Sequence, residues 1–256
     1  MPFYYYLIAA AASLSAGIIN TLAGNGSSIT LAVLMQLIGL PAKEANATIR
    51  VGVFSATLGA LPSFIKKGHI NLTRDRLVII CMTAGAVFGI FTALWIDNKT
   101  FKEVFKYMFI LMLFLTLYDT KSWLRKTDEQ KRLPVFIIIP LYLLLGFYGG
   151  FVQMGIGVFF LFVTVLGARY NIIDAGALRT VCIALYTPLA IGIFAWHGLI
   201  HWDLAIIMAA AEWTGGFFGG RFATTNAKAA VWAQRLLVVV LIAVIMNEFR
   251  PWNWFL

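Results

Sequence analysis

The chain has 256 residues, of which 61% are hydrophobic and only 12% are charged, and its mean hydropathy is +0.86. Soluble domains are about 45–50% apolar and about 25% charged, so this composition argues against a soluble enzyme, a disordered chain and a nucleic-acid-binding domain. A membrane-spanning helix needs about 20 apolar residues, and the length therefore allows roughly eight to ten crossings. The net charge of +9 is assigned to loop residues that orient the protein in the membrane.

Ten apolar segments follow one another along the chain. They lie at 3–23, 27–40, 46–65, 76–96, 101–123, 134–153, 157–168, 175–196, 202–220 and 229–248. The second and seventh are too short for an untilted crossing, and each follows a glycine-rich break. We therefore predict an all-α polytopic membrane protein with eight to ten transmembrane segments, two of which are short or broken.

The two halves of the chain resemble each other. The register that aligns Gly68 with Gly198 also aligns Gly85 with Gly215 and Gly89 with Gly219. A register longer by one position aligns Gly24 with Gly155 and Gly26 with Gly157. The long polar stretch at 121–133 separates these halves. We predict a first transmembrane repeat at 1–120, a polar linker at 121–133 and a second repeat at 134–256.

The positions of the lysines and arginines distinguish two topologies. If every segment changes sides, thirteen of these residues share one face and five the other; if the short segments are re-entrant, the split is ten against eight. The positive-inside rule favours the first arrangement, in which each half crosses five times and the second repeat is inverted. Transporters with inverted repeats bind substrate at broken helices near the midplane. The re-entrant arrangement stays open at this point.

The two glycine-rich breaks are the first candidates for a binding site. A helix N-terminus inside a membrane presents free N–H groups and a partial positive charge, which together can hold an anion. The candidate residues are Asn20, Thr21, Gly24, Asn25, Gly26, Ser27 and Ser28 at the first break, and Gln153, Gly155 and Gly157 at the second. The alternative is that the glycines only permit close helix packing, which is also our interpretation of Gly85-xxx-Gly89 and Gly215-xxx-Gly219.

Two arginines lie within apolar runs, Arg50 in the first half and Arg179 in the second. A buried arginine in a membrane costs several kcal/mol and usually faces a cavity or a partner. Because a guanidinium binds an oxyanion through two hydrogen bonds, both residues are candidates for substrate binding. Alternatively, each side chain reaches the nearby interface or pairs with Glu44 or Asp174. The register that aligns Gly68 with Gly198 leaves the two arginines one position apart.

Glu212 is the only carboxylate well inside a predicted span. An intramembrane acid can bind and release a coupling proton. It can equally serve a structural purpose, either as a protonated hydrogen-bonding group between helices or as the partner of an arginine. The sequence favours the structural interpretation and leaves proton coupling as the alternative.

No other pattern indicates a metal, a cofactor or a catalytic centre. His69, His197, His201, Cys81 and Cys182 lack metal-ligand spacing, and no disulfide framework can be read. HExxH, Gly-x-Gly-Asp and a plausible serine–histidine pair are absent from the sequence. We therefore expect no metal, no cofactor and no enzymatic activity.

Several stretches together resemble the sulfite exporter TauE/SafE family, also called TSUP or DUF81. They are GIINTLAGNGSSIT at 17–30, GLPAKEANAT at 39–48, GFYGGF at 146–151, GIG at 155–157 and FAWHGLI at 194–200. The resemblance covers nearly the whole chain. Members often have more glycines where this chain has Asn25, Ser27 and Ser28, and often a proline where it has Ala32 or Val33. These differences add polar donors at the expected site.

The resemblance implies a transporter in the bacterial or archaeal cytoplasmic membrane whose substrates are sulfite, sulfoacetate, other organosulfonates or related small carboxylates. We expect export by alternating access, with a small anionic substrate and the lipid bilayer as partners and no nucleic acid. The alternatives are an anion channel, an importer of a related carboxylate or sulfonate, and a membrane scaffold subunit that transports nothing. The sequence leaves the exact substrate, the coupling ion and the oligomeric state open.

Overall fold

The computed structural model describes residues 3–117 and 134–223, together with seven helical residues between 235 and 246. The helices are α1 Phe3–Ala23, α2 Ser27–Ala32, α3 Ala42–Lys66, α4 Leu72–Trp95, α5 Asn98–Leu117, α6 Val135–Phe151, α7 Ile156–Leu161, α8 Ile172–Trp196 and α9 Trp202–Ala223. The two short helices continue as π-helical turns, α2 over Val33–Leu37 and α7 over Phe162–Gly167. All regular structure in the described ranges is helical, which confirms the predicted all-α class.

Four helices of the described part are long and apolar enough to cross a membrane: α1, α3, α4 and α8. Large apolar side chains also cover their outward faces; Ile80 and Phe88 of α4, for example, are 63% and 69% exposed. A soluble protein rarely exposes a continuous apolar surface of this kind, so these faces are suited to contact with lipid. The predicted linker at 121–133 and most of the predicted segment at 229–248 lie outside the described residues.

Several helices begin earlier than their predicted starts. Helix α4 begins at Leu72 rather than 76, and α8 begins at Ile172 rather than 175. The reason is capping, because Asn71 and Asn171 each accept a hydrogen bond from a backbone N–H in the first turn, at 3.0 and 2.8 Å. Such caps satisfy N–H groups that the first helical turn leaves without partners. Hydropathy alone misses these turns because they are polar.

Glycines allow the backbones of α4 and α6 to approach each other closely. A Cβ atom added at Gly85 or Gly89 would lie 2.1 or 2.0 Å from the carbonyl oxygen of Leu143 or Phe147. Helices α1 and α9 meet in the same manner, since a Cβ at Gly215 would lie 2.3 Å from a backbone oxygen of α1. The predicted small-residue patterns therefore do bring helices into contact.

The order of these contacts gives the direction of each helix. Gly52, Ala56 and Ala60 of α3 meet Glu212, Gly216 and Gly220 of α9, and Leu14 and Ile18 of α1 meet Gly215 and Gly219. In both helix pairs, α3 with α9 and α1 with α9, the residue numbers of the contacting residues rise together along the two helices. Helices α1, α3 and α9 therefore run parallel. The chain must therefore turn back between α1 and α3, and α2 is the segment that returns it. This is the chain direction of the arrangement in which every segment changes sides.

Helices α3 and α8 run in opposite directions. His69, just after α3, lies 2.8 Å from the Asp174 carboxylate in the first turn of α8. His201, in the loop after α8, lies 2.5 Å from the Glu44 carboxylate in the first turn of α3. These two histidine–carboxylate pairs therefore join the first and second halves of the chain at opposite ends of the helix bundle.

Candidate functional site

The two predicted breaks meet in the interior of the protein. Gly24 follows α1 with φ +84°, and Gly155 precedes α7 with φ +74°, a backbone conformation that glycine adopts without strain. A Cβ atom at Gly157 would lie 2.2 Å from the carbonyl oxygen of Gly24. The Ser27 hydroxyl donates a hydrogen bond to the carbonyl of Gln153 at 3.4 Å. The breaks therefore form one continuous site rather than two separate ones.

Arg50, on α3, binds the C-terminal end of α6. Its guanidinium donates to the carbonyls of Gly149 and Gly150 at 3.2 and 2.6 Å, and to the side-chain oxygen of Gln153 at 3.2 Å. The last carbonyls of a helix have no partner within the helix and carry a partial negative charge. Arg50 therefore neutralises the end of a helix that stops inside the protein.

Arg179, on α8, does the same for α1. It donates to the carbonyls of Asn20 and Thr21 at 2.9 and 2.8 Å. Each arginine thus holds a broken helix from the opposite half of the chain. The two arginines do not reach the membrane interface, because both are buried. They do not pair with Glu44 or Asp174 either, because those carboxylates contact His201 and His69.

The spacing of these contacts is the same in both halves. The register that aligns Arg50 with Arg179 also aligns Asn20 with Gly149 and Thr21 with Gly150. Each arginine therefore binds carbonyls at corresponding positions of the opposite half. The register based on Gly68 and Gly198 misaligned the arginines because it is one position longer than the register that relates the arginines and the carbonyls that they bind. The two side chains therefore have the same structural role, which is to bind the last carbonyls of a helix in the opposite half.

Four buried N–H donors at this site have no hydrogen-bond partner within the part of the chain that is described. They are Asn25 Nδ2, Arg50 Nε, Gln153 Nε2 and one terminal nitrogen of Arg179. Their residues are at most 3% exposed. Buried polar groups are nearly always hydrogen-bonded, and an unpaired donor is costly. A group of donors from two arginines and two amides is suited to the oxygens of an anion.

Other predicted residues support this site instead of adding free donors. The Ser28 hydroxyl donates to the side-chain oxygen of Asn25, which leaves the Nδ2 group of that amide as the unpaired end. Thr21 donates its hydroxyl to the carbonyl of Gly17 within α1, and Asn20 contributes its backbone carbonyl. These residues therefore fix the shape of the first break.

Two of the predicted glycines serve packing. A Cβ at Gly26 would meet the carbonyl oxygen of Ala16 at 1.9 Å, and one at Gly155 would meet the sulfur of Met112 at 2.2 Å. Glu212 lies apart from these donors, because its carboxyl packs against Gly52, on a different face of α3 from Arg50. That the predicted residues bind substrate stays a prediction; the four donors belong to those of the predicted residues whose buried N–H groups have no partner in the described structure.

Two further residues at the site were not predicted. Asn46 donates to the carbonyl of Phe151 at 3.1 Å and accepts from the backbone N–H of Gln153 at 3.2 Å, which fixes the second break. Tyr186 lies close enough to Arg50 and Arg179 to interact electrostatically with both. Helical spacing could have identified them, because Asn46 lies one turn before Arg50 and Tyr186 lies two turns after Arg179.

A pocket leads to the Arg179 side of the site. It is lined by Asn20, Thr21, Ala56, Thr57, Ala60, Arg179, Thr180 and Ile183. Five of these eight residues are polar or charged, and they come from α1, α3 and α8. The pocket therefore lies between α1, α3 and α8, beside the contact of Arg179 with the end of α1.

Comparisons with known proteins agree with a transport protein. The chain is 28% identical to "Probable membrane transporter protein ORF9" of Sinorhizobium sp, over 91% of this chain and 87% of that protein. It is 23% identical to "Probable membrane transporter protein YfcA" of Escherichia coli K12, over 90% of this chain and 83% of that protein. No solved structure matches the chain. These names indicate a membrane transporter rather than an enzyme.

The family comparison is more specific. The family model described as "Sulfite exporter TauE/SafE" matches residues 9–247, which is nearly the whole chain. The chain therefore belongs to the TauE/SafE family of membrane transporters.

Proposed function

We propose that the protein exports a small sulfur-containing anion, such as sulfite or a short organosulfonate, across the cytoplasmic membrane. The observation that carries this proposal is the group of four unpaired N–H donors where the two breaks meet. Two of these donors belong to arginines, whose positive charge favours an anion over a neutral substrate. The name of the family, sulfite exporter, supports the same substrate class.

The hydrogen bonds of the two arginines leave one donor of each unused within the described part of the chain. Each guanidinium uses part of its donor set on helix carbonyls and retains one buried donor. An oxyanion with three acceptor oxygens could bind several of these donors at once, which gives charge-assisted hydrogen bonds. Both arginines are buried, at 0% and 3% exposure.

Alternating access between two inverted repeats is the mechanism that we propose. It is supported by the antiparallel directions of α3 and α8 and by the exchanged arginine caps. It is also supported by helix packing, because α1 packs against α9 in the same way as α6 of the second half packs against α4 of the first. If the halves rock against each other, the donors between them face each side of the membrane in turn.

The membrane potential would favour export. A cell interior is negative, and moving one elementary charge across the membrane is worth about 2.3 kcal/mol per 100 mV. A bound anion would therefore leave the cell without a second driving ion. Import of the same anion would require coupling to another gradient.

The test is flux of labelled sulfite and sulfoacetate into proteoliposomes that contain the purified protein. We expect saturable uptake that is accelerated when the same anion is present on the opposite side. Unsaturable flux without such acceleration would indicate an anion channel, and uptake only against the potential would indicate an importer. No flux of either anion by protein shown to be folded would refute the substrate proposal and favour a scaffold.

A further inference from the structure

Glu212 lies in the middle of α9 and is 0% exposed. Neither of its carboxyl oxygens has a hydrogen-bond partner in the described structure. The two structural interpretations of this residue, a hydrogen bond between helices and a pair with an arginine, both require a partner. Within residues 3–117 and 134–223 neither kind of partner is found for this carboxyl.

The space for this carboxyl exists because position 52 is a glycine. A Cβ atom at Gly52 on α3 would lie 2.8 Å from both Cδ and Oε1 of Glu212. On the opposite side, a Cβ at Gly17 on α1 would lie 2.5 Å from the Glu212 carbonyl oxygen. The carboxyl is therefore enclosed at a junction of three helices, α1, α3 and α9.

The other half of the chain contains a comparable junction with an apolar side chain. There, a Cβ at Gly146 on α6 would lie 2.2 Å from the carbonyl oxygen of Met82 on α4. The register that aligns Gly85 with Gly215 also aligns Met82 with Glu212. Met82 is fully buried in an apolar cluster. The packing of such a junction is thus satisfied by methionine, and a carboxyl is not needed to fill it.

None of the charged groups on the described parts of α1, α3 and α9 donates a hydrogen bond to the Glu212 carboxyl. On α3 they are Lys43, Glu44, Arg50 and Lys66; on α9 itself they are Asp203 and Arg221; and α1 carries only Tyr4, Tyr5 and Tyr6 as titratable groups. Arg50 directs its two terminal nitrogens to α6, Lys43 donates to the Leu94 carbonyl, and Glu44 contacts His201.

An ionised carboxylate enclosed without a cation or a hydrogen-bond donor costs several kcal/mol. The enclosed position therefore accommodates Glu212 as the neutral acid. The proton can leave only when the junction opens to water. Opening and closing of the junction would in this way be tied to release and uptake of one proton.

We propose that Glu212 is the proton-binding site that couples anion movement to a pH gradient; this proposal rests on the transport function proposed above. The link to the anion site is α3, because Gly52 contacts the carboxyl and Arg50, half a turn earlier, holds the end of α6. Binding of a proton at Glu212 closes the junction around the α3 segment that positions an anion donor.

One proton and one anion then cross together. Sulfoacetate carries a carboxylate and a sulfonate and is a dianion at neutral pH, so the pair keeps one net negative charge. The potential therefore still draws such an anion out of the cell, while a pH gradient adds to that force or opposes it according to its direction.

The experiment compares the wild type with E212Q in proteoliposomes. Glutamine has the same shape but does not titrate. With labelled sulfoacetate as the probe and the potential clamped, we expect a pH gradient to drive net flux in the wild type. In E212Q this flux should fall by about tenfold or more, whereas exchange of sulfoacetate at equal pH should stay near the wild-type rate. M82Q is the matched control, since it places the same amide at the apolar junction and should keep the response to pH.

A second measurement uses the wild type alone. Dicyclohexylcarbodiimide modifies protonated carboxyls in apolar surroundings, and peptide mass spectrometry should locate the adduct on Glu212. A full pH response in E212Q, a response to a sodium gradient instead of a pH gradient, or no adduct on Glu212 would each overturn the proton site. Absence of any sulfoacetate or sulfite exchange in the wild type would instead refute the proposed function, which this site presupposes.

Discussion

The contact between the two breaks makes a sharp prediction about Gly157. Replacing it with alanine adds one methyl group, whose carbon would lie 2.2 Å from the carbonyl oxygen of Gly24 and 2.5 Å from its Cα. Both atoms belong to the backbone, so no side chain can rotate away. Because Cβ contacts under 3.0 Å essentially never occur, the overpacked breaks must move apart by about 0.8 Å.

This displacement has two expected consequences. Overpacking of a closely packed interior destabilises a protein by about 1–3 kcal/mol. A binding site also needs its groups placed within about 0.5 Å of their proper positions, and the separation exceeds that tolerance. Asn25 and Gln153 lie on opposite breaks, so the separation would also move their unpaired donors apart. We therefore expect G157A to lose anion flux by about tenfold or more.

The assay is sulfite and sulfoacetate flux into proteoliposomes, together with thermal unfolding of the purified variant. G192A is the matched control: Gly192 lies within α8, and a Cβ there would meet nothing within 4 Å. It should unfold and transport like the wild type. If G157A also behaved like the wild type in both measurements, the two breaks would not be in contact and the reasoning about a single shared site would be wrong.

Three further predictions follow from other contacts. R50K keeps the positive charge but loses the planar guanidinium that donates to the Gly149 and Gly150 carbonyls together. It should therefore lower the free energy of unfolding by about 1–3 kcal/mol. Denaturant titration in detergent measures this, and an unchanged value would show that these hydrogen bonds do not stabilise the protein. Q153E places a negative charge beside the unpaired donors and should weaken sulfite binding by about tenfold or more. Isothermal titration measures this binding. If Q153E and the wild type bound sulfite with equal affinity, the anion would bind elsewhere. Hydrogen bonds from the backbone N–H and hydroxyl of Thr100 hold the pKa of Asp97 below its ordinary value. A carboxylate whose pKa is lower in the folded than in the unfolded state stabilises the protein above the unfolded pKa, and this stabilisation disappears as the pH falls through the folded pKa. D97A should therefore lower the melting temperature at neutral pH and change it little in strong acid. An equal fall in melting temperature at both pH values would contradict the reasoning.

The sequence predicts the parts of this site whose signals are local. Gly24 and Gly155 mark the breaks because glycine adopts positive φ, and Arg50 and Arg179 are conspicuous because charges are rare in apolar runs. What the sequence does not reveal is the partner of each arginine, since the bound carbonyls lie in the opposite half of the chain. The same limit applies to Glu212, whose surroundings depend on how α9 packs against α3.

Polar first turns explain the errors in the helix starts. Residues 42–45 and 72–75 contain lysine, glutamate, arginine and aspartate, which lower the local hydropathy although they are helical. Capping side chains such as Asn71 could have extended the predicted starts, because they are recognisable from residue type and position. Helix ends that depend on long-range contacts, such as the end of α6 at Phe151, have no comparable local signal.

The exchanged arginine caps also constrain how the protein is made. Arg50 is synthesised long before the α6 carbonyls that it binds, and the end of α1 is synthesised long before Arg179. A ribosome that has completed only the first half has therefore delivered to the membrane a guanidinium without acceptors and a helix end without its cap. Only translation of the second half supplies both missing partners. The two halves, despite their similarity, thus reach their final structure together rather than one after the other.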